Sequence, residues 1–310
     1  MNILIFFSSM VLISAYTSAA LGIFDGVHIG HQSVIGCAVD DAKKNGYIPA
    51  VCTFKSASVD TKGREYLPIY SDDAKRMLFE KAGVQYVYMP DFSYIKELSP
   101  SEYVENVLVK LMNCRTVVCG RDFRFGKNAE GNTDILYKLC RNKGIELIVA
   151  DDVMKDNIRV CSADIRRHIR NGCISKANLL LGHDYALVGE VVHGNHFGRE
   201  MNFPTANQIV RSEYVMPKFG VYASYSEIDG TVYRGVTNIG VKPTVEKCSI
   251  PLAETHFPSY SGSLYGKNIT LHLTDFIRQE MRFADINELK MHIREDTEKV
   301  MSASYNIEAV

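Results

Sequence analysis

The sequence predicts an α/β domain built on a parallel, doubly wound sheet, followed by an antiparallel β-barrel that ends in a helix. Two rhythms and one turn predict it. From the motif GIFDGVHIGH at 22–31 to about residue 150, short apolar runs alternate with helix-period segments, which calls for parallel strands covered on both faces. After residue 185 the segments ALVGEVVHG, GVYASYSEI, TVYRGVTNIG, LAETHFPSY and NITLHLTDFI have period two and are separated by turn residues, as in a small barrel. Between two of them Asp229-Gly230 is the dipeptide of a tight hairpin.

Taken in order, the N-terminal run MNILIFFSSMVLISAYTSAA is apolar and ends in small residues like a secretory signal. It lacks a basic start and leads directly into the strand before GIFDG, so it is expected to belong to the domain. HQSVIGCAVDDAKKNG places Val34, Ile35, Ala38, Val39 and Ala42 on one helical stripe and stops at Gly46. SDDAKRMLFEKAG starts with Ser71 as N-cap and stops at Gly83, and VQYVYM follows as a strand. In SPSEYVENVLVKLM, Ser99 with Glu102 spells a capping box and Pro100 takes the first helical position. TVVCG reads as a strand, NTDILYKLCRNKG as a helix and IELIVA as a strand. Two short helical segments, SADIRRHIRNG and SKANLLLG, bridge the halves, and a last helix starts near Asp285, boxed by Glu288, and runs toward Lys299.

At 310 residues the chain has room for two domains, expected over 1–180 and 181–310. The 46% hydrophobic and 23% charged content is that of a globular protein. A net charge of −1 gives no global attraction for nucleic acid, with DIRRHIRNG the one local basic stretch. Eight cysteines without a CxxC pair point to reduced thiols in a cytoplasmic protein and argue against zinc. No apolar run of membrane-spanning length follows the N-terminus. The expected partners are small molecules, with no nucleic acid and no membrane, for a monomer or weak homo-oligomer.

A strand that ends in Gly22-Ile-Phe24-Asp25-Gly26 and turns into a helix near His31 aims backbone N–H groups and a helix dipole at one spot, which attracts anions. His28 and His31 then donate hydrogen bonds to a triphosphate; alternatively one caps the turn and the other packs. GRDFRFGKNAEG reads as a glycine-punctuated basic loop. In GNHFGREMNFPTAN the glycines allow close approach to phosphate, Arg199 supplies charge, and Thr205 and Asn207 offer oxygens suited to Mg²⁺ or bond their own backbone in a turn.

GIFDGVHIGHQ and VVCGRDFRFGKNAEG resemble two motifs, in the same order, of bacterial FAD synthetases, the N-terminal half of bifunctional riboflavin kinase/FAD synthetases. GNHFGREMNFPTAN, GVYASY, GVTNIGVKPTV and AETHF resemble the riboflavin kinase half, and the likeness runs from about residue 18 to 300. The resemblance implies a Rossmann-like nucleotidyltransferase domain and a riboflavin kinase barrel, with ATP, riboflavin and FMN as substrates and Mg²⁺ as cofactor. It implies that His28 and His31 serve adenylyl transfer, that Gly22, Phe24, Asp25, Gly26, Ser162 and Arg166 bind its ATP, and that Asp122 and Phe123 lie in a flavin or nucleotide loop. In the kinase it implies Gly194, Gly198 and Arg199 for ATP, Thr205 and Asn207 for the metal, and Glu254 as general base. Without the flanking motifs Glu254 reads as a solvated face residue. Phe257, Tyr265 and Phe283 are expected either beside the flavin ring or in the core.

Two departures stand out. The family's Ser-Ser-Thr-x-Ile-Arg segment is here Cys161, Ser162, Ala163, Asp164, Ile165 and Arg166, with two hydroxyls lost and a carboxylate added. Its Pro-His after the second strand is replaced within CTFKSAS. Both weaken the expectation of adenylylation relative to phosphorylation, so a kinase with a weak adenylyltransferase domain is one alternative. Others are a non-catalytic flavin- or nucleotide-binding protein, and an adenylyltransferase for pantetheine or nicotinate nucleotides, which leaves FPTAN without a role.

Overall fold

A computed structural model of the chain describes residues 4–6, 14–56, 67–155, 158–193, 203–211, 213–242 and 250–303. The chain divides into two units, residues 1–162 and 163–310. In the first unit the strands β1 (Leu4–Phe6), β2 (Thr17–Leu21), β3 (Ile48–Cys52), β4 (Tyr86–Tyr88), β5 (Cys114–Gly120) and β6 (Glu146–Ala150) pair in parallel in the order β1-β4-β3-β2-β5-β6. Alternate residues of β2 serve two cores: Ala19 and Leu21 pack with Cys52, Tyr86 and Val117, while Ala20 packs with Val51, Val87 and Val118. The second core is covered by α1 (Ile29–Asn45), whose buried residues are the five of the predicted stripe and which ends at Gly46 with φ 70°. Ser71 caps α2 (Asp72–Lys81) through Ala74 N–H, and a single turn, α3 (Phe92–Ile95), follows β4.

Ser99 and Glu102 make the reciprocal box at α4 (Pro100–Glu102), but from Tyr103 to Leu111 the helix widens to π-type turns. Tyr103, Val104, Val107 and Leu108 of this segment, with Met112 just after it, pack against one core. After α5 (Thr133–Arg141) and β6 comes a small hairpin that the sequence reading lacks, β7 (Met154–Lys155) with β8 (Ile158–Arg159). Burial pushes the thiols of Cys52, Cys114, Cys119 and Cys140 up to about 12, which leaves them unreactive near neutral pH. None of the seven cysteines among the described residues is in a disulfide.

The bridging helices are α6 (Ser162–Arg170) and α7 (Ile174–Leu181). In the second unit β9 (Tyr185–Val192), β10 (Thr205–Ile209), β11 (Gly220–Ile228), β12 (Thr231–Lys242), β13 (Ile250–His256) and β14 (Asn268–Arg278) close into a barrel in the order β10-β13-β12-β11-β14-β9, all antiparallel. Asp229 and Gly230, at φ 51° and 79°, make the hairpin between β11 and β12. Buried hydroxyls lace three strands together: Ser224 meets Thr237 at 2.7 Å and Thr237 meets Thr255 at 2.8 Å.

The last helix, α8 (Ile286–Ser302), sets Val300 on Val221, Ala223 and Val236. Its capping differs from the predicted box by one residue, because the Glu288 carboxylate accepts from Ala284 N–H while Asp285 accepts from Glu288 N–H. Arg278 of β14 donates Nε and Nη2 to Asp296 of α8 at 3.0 and 2.8 Å, with the Asp296 side chain only 9% exposed. Asp296→Ala strands the guanidinium and is expected to lower the stability of this unit by about 2 kcal/mol in urea unfolding followed by circular dichroism. An unchanged midpoint would refute the clamp.

Candidate active sites

β2 and β5 are neighbours, with Leu21 opposite Cys119, and the winding of the sheet reverses between them. The loops leaving their carboxyl ends are GIFDGVH and GRDFRF, so two stretches far apart in sequence share the crevice where open α/β sheets bind ligands. The first loop is strained: Phe24, Gly26 and Val27 stand at φ 51°, 83° and 44°. For β-branched Val27 this costs on the order of 1–3 kcal/mol. Side-chain hydrogen bonds hold it there. Thr53 Oγ1 donates to Ile23 O (2.8 Å), Ile69 N–H to the Asp25 carboxylate (2.8 Å), Ser162 Oγ to Asp25 O (2.9 Å) and Gln32 Nε2 to Val27 O (2.9 Å).

His28 is the N-cap of α1, its Nδ1 accepting from His31 N–H at 3.2 Å, so the helix starts at Ile29, ahead of His31. One of the two roles that the sequence left open, turn capping, thus falls to His28. The two imidazoles stack 3.5 Å apart, and Phe24 meets His31 edge-on at 5.3 Å. The Phe24 ring is buried in the core. Burial first, then the neighbouring His28 and Lys75, push the His31 pKa well below 6.5, so the ring is neutral at pH 7. Its Nδ1 is buried with no hydrogen-bond partner among the described residues.

The sequence reading missed Lys75, which lies on the core-facing side of α2 with Phe79 and donates to Phe54 O at 3.0 Å. Its i,i+4 spacing from Phe79 was the available signal. In the second loop, Asp122 pairs with Arg159 of β8 at 2.7 Å, Arg159 also reaches Asp152 at 3.0 Å, and Phe123 stacks on Phe125 at 5.7 Å. Ser162 belongs to the first unit and Arg166 to the second, where Asp164 pairs with Arg167 at 2.7 Å.

In the barrel, antiparallel register sets Asn207 opposite Glu254, Glu254 opposite Asn238, and Thr205 opposite His256. Residues directly opposite share a face, so Thr205, Asn207, Glu254 and His256 form one patch on the side of the wall away from the hydroxyl ladder. FPTAN is therefore strand from Thr205 onward. Asn207 is 4% exposed; its Nδ2 donates to Thr205 O at 3.4 Å and its Oδ1 is buried with no partner among the described residues. His256 Nδ1 lies 3.0 Å from Pro204 O, and Phe203 meets its ring edge-on. Phe257 is core, tight against Gly235; Tyr265 stacks on His193 at 4.0 Å, and Phe283 lies against His292. Gly194, Gly198 and Arg199 lie outside the described residues. Among the described residues no three His, Cys, Asp or Glu side chains cluster to hold a metal, and no helix is long and apolar enough to cross a membrane.

A switch-point loop with paired histidines and a barrel wall carrying Thr, Asn and Glu on one face define a two-domain, nucleotide-dependent transferase. The FAD synthetase family model matches residues 13–164 and the riboflavin kinase model residues 181–304. The bifunctional riboflavin kinase/FMN adenylyltransferase of Bacillus subtilis is 33% identical, covering 93% of this chain and 92% of its own length. The protein of the same name from Listeria monocytogenes is 35% identical with 89% of each covered, and that of Escherichia coli 32% with 89% of each. A crystal structure described as a macrolide-efflux protein from Streptococcus pneumoniae has a TM-score of 0.84 at 27% identity, covering 94% of this chain and 96% of that one. The chain belongs to the bifunctional riboflavin kinase/FMN adenylyltransferase family.

The low His31 pKa sets a pH dependence. Below pH 6.5 the unfolded chain protonates this imidazole while the folded one does not, so its contribution to stability, complete above that pH, is lost as pH falls toward the folded pKa. His31→Gln is expected to flatten the acid loss of stability of the first unit between pH 7 and 5 in urea titrations; an identical slope would contradict the assignment.

Proposed function

We propose that the barrel phosphorylates riboflavin and the parallel-sheet domain adenylylates the product, with the boundary of labour at residues 180/181. In the barrel, Glu254 takes the proton of the terminal ribityl hydroxyl as its oxygen attacks the γ-phosphorus of ATP. The bond to the β,γ-bridging oxygen breaks, giving FMN and ADP. The observation that carries this reading is the cross-strand opposition of Glu254 and Asn207, which sets a carboxylate beside an unsatisfied amide oxygen on one wall. That oxygen with the Thr205 hydroxyl suits a hard cation, so these two residues would hold Mg²⁺, which offsets triphosphate charge when bound. Gly194, Gly198 and Arg199 take the ATP phosphates of this reaction.

In the first unit an FMN phosphate oxygen attacks the α-phosphorus of a second ATP, and pyrophosphate leaves to give FAD. His28 and His31 stabilise the charge on the α-phosphate and the departing pyrophosphate. Gly22, the Phe24 backbone, Asp25 and Gly26 shape the phosphate loop, Ser162 completes the ATP site, and Asp122 with Phe123 faces the flavin nucleotide. Cysteines that form no disulfide among the described residues support a cytoplasmic location, and a monomer or weak homo-oligomer acting on small molecules alone fits the even charge balance.

One observation favours a second reading, in which adenylylation is much slower than phosphorylation. Cys161 and Ala163 have no side-chain hydroxyl, and the one hydroxyl left beside them, on Ser162, is spent on the Asp25 carbonyl.

The two halves separate by substitution. Glu254→Gln is expected to lower FMN formation by about a hundredfold or more while FMN is still converted to FAD. His31→Ala is expected to do the reverse, and EDTA to stop both. Loss of both activities in either variant, or unchanged FMN formation in Glu254→Gln, would refute the division of roles.

A further inference from the structure

The first unit buries a lysine for which the adenylyl-transfer reading gives no role. Lys75 is 1% exposed, although burying an ammonium is costly and an aliphatic side chain would pack at lower cost. Its surroundings come from four elements. The Phe54 carbonyl, after β3, accepts from Nζ at 3.0 Å. Asp72, on its own helix, has Oδ1 3.8 Å away, and the same oxygen accepts Ser56 N–H at 2.8 Å. Among the described residues, Asp25, in the loop after β2, and His31, in the first turn of α1, are the other charged or titratable groups that feel it. Lys75 and Asp72 thus tie Phe54 and Ser56 to α2, at the place where the family's Pro-His is missing.

Resting on the adenylyl-transfer reading of this crevice, we infer that Lys75 is a positioning residue for that reaction: its buried ammonium anchors the loop after β3 to α2 and fixes a positive charge beside His31 and Asp25. Burial drives the Lys75 pKa down, and the carboxylates of Asp72 and Asp25 oppose the fall and favour the charged form. The same positive charge favours a neutral His31. A neutral imidazole can donate one ring N–H to phosphate and leave its other nitrogen as an acceptor.

The test compares Lys75→Met, which removes the charge at similar volume, with Lys75→Arg, which keeps it, in the full chain. Lys75→Met is expected to lower kcat for FAD formation from FMN by about tenfold or more, with riboflavin phosphorylation unchanged and Lys75→Arg recovering much of the loss. In histidine side-chain NMR the His31 resonance is expected to titrate at higher pH in Lys75→Met than in wild type, and at the wild-type position in Lys75→Arg. A purely structural lysine would lower the melting temperature without moving that titration. If Lys75→Met fails to fold, Lys75→Gln carries the same measurements. Wild-type FAD formation in Lys75→Met, or an unmoved His31 titration, overturns the inference. Absence of FAD from wild type would instead count against the underlying reading, and the titration would still decide the coupling of Lys75 to His31.

Discussion

The first unit depends on the parallel pairing of β2 with β5. That pairing reverses the winding of the sheet and opens a crevice at the carboxyl ends of both strands. The loop after β2 can be used for ligand chemistry only because it is over-determined: three of its residues hold positive φ, and hydrogen bonds from Thr53, Ile69, Ser162 and Gln32 hold them there. The strain is offset by packing, since Phe24 drives its ring into the core between His31 and Phe79. His28 does two jobs in this frame. It satisfies a backbone N–H at the start of α1 and stacks against His31, so the helix terminus and the histidine pair are one construction.

The barrel solves a different problem with register. A slip of one residue between β10 and β13 would turn Asn207 away from Glu254 and turn the buried Gln208 out of the interior. Gln208 Nε2, donating to Gly189 O and Ile269 O at 3.0 Å each, opposes that slip from the inside, and the Ser224, Thr237 and Thr255 hydroxyls oppose slips among β11, β12 and β13. Buried polar groups of this kind are costly unless satisfied, so they penalise every register but one.

Signals that act within a few residues were legible in the sequence. The α1 stripe and its Gly46 stop, the Ser71 cap, the Ser99 and Glu102 box and the Asp229-Gly230 hairpin each depend on local geometry. Features that need a distant partner were not. Lys75 sits in the polar-looking SDDAKRM, and only the folded sheet brings the Phe54 carbonyl over it. The β7 and β8 hairpin is two residues per strand, too short for periodicity to register, and the π-type turns answer to a core built by other elements. At the sites, motif order supplied the residue types and capping by one histidine was among the roles left open, while the fold decided that His28 is the cap and placed Thr205 and Asn207 in a strand.

One chain carries two successive transfers on two separate scaffolds. A time course of the purified wild-type protein with riboflavin and excess MgATP, resolved by chromatography, tests it most directly. FMN is expected to rise first and then to be converted to FAD as pyrophosphate accumulates. Riboflavin that stays unconverted, or FMN that persists as the final product, would contradict it.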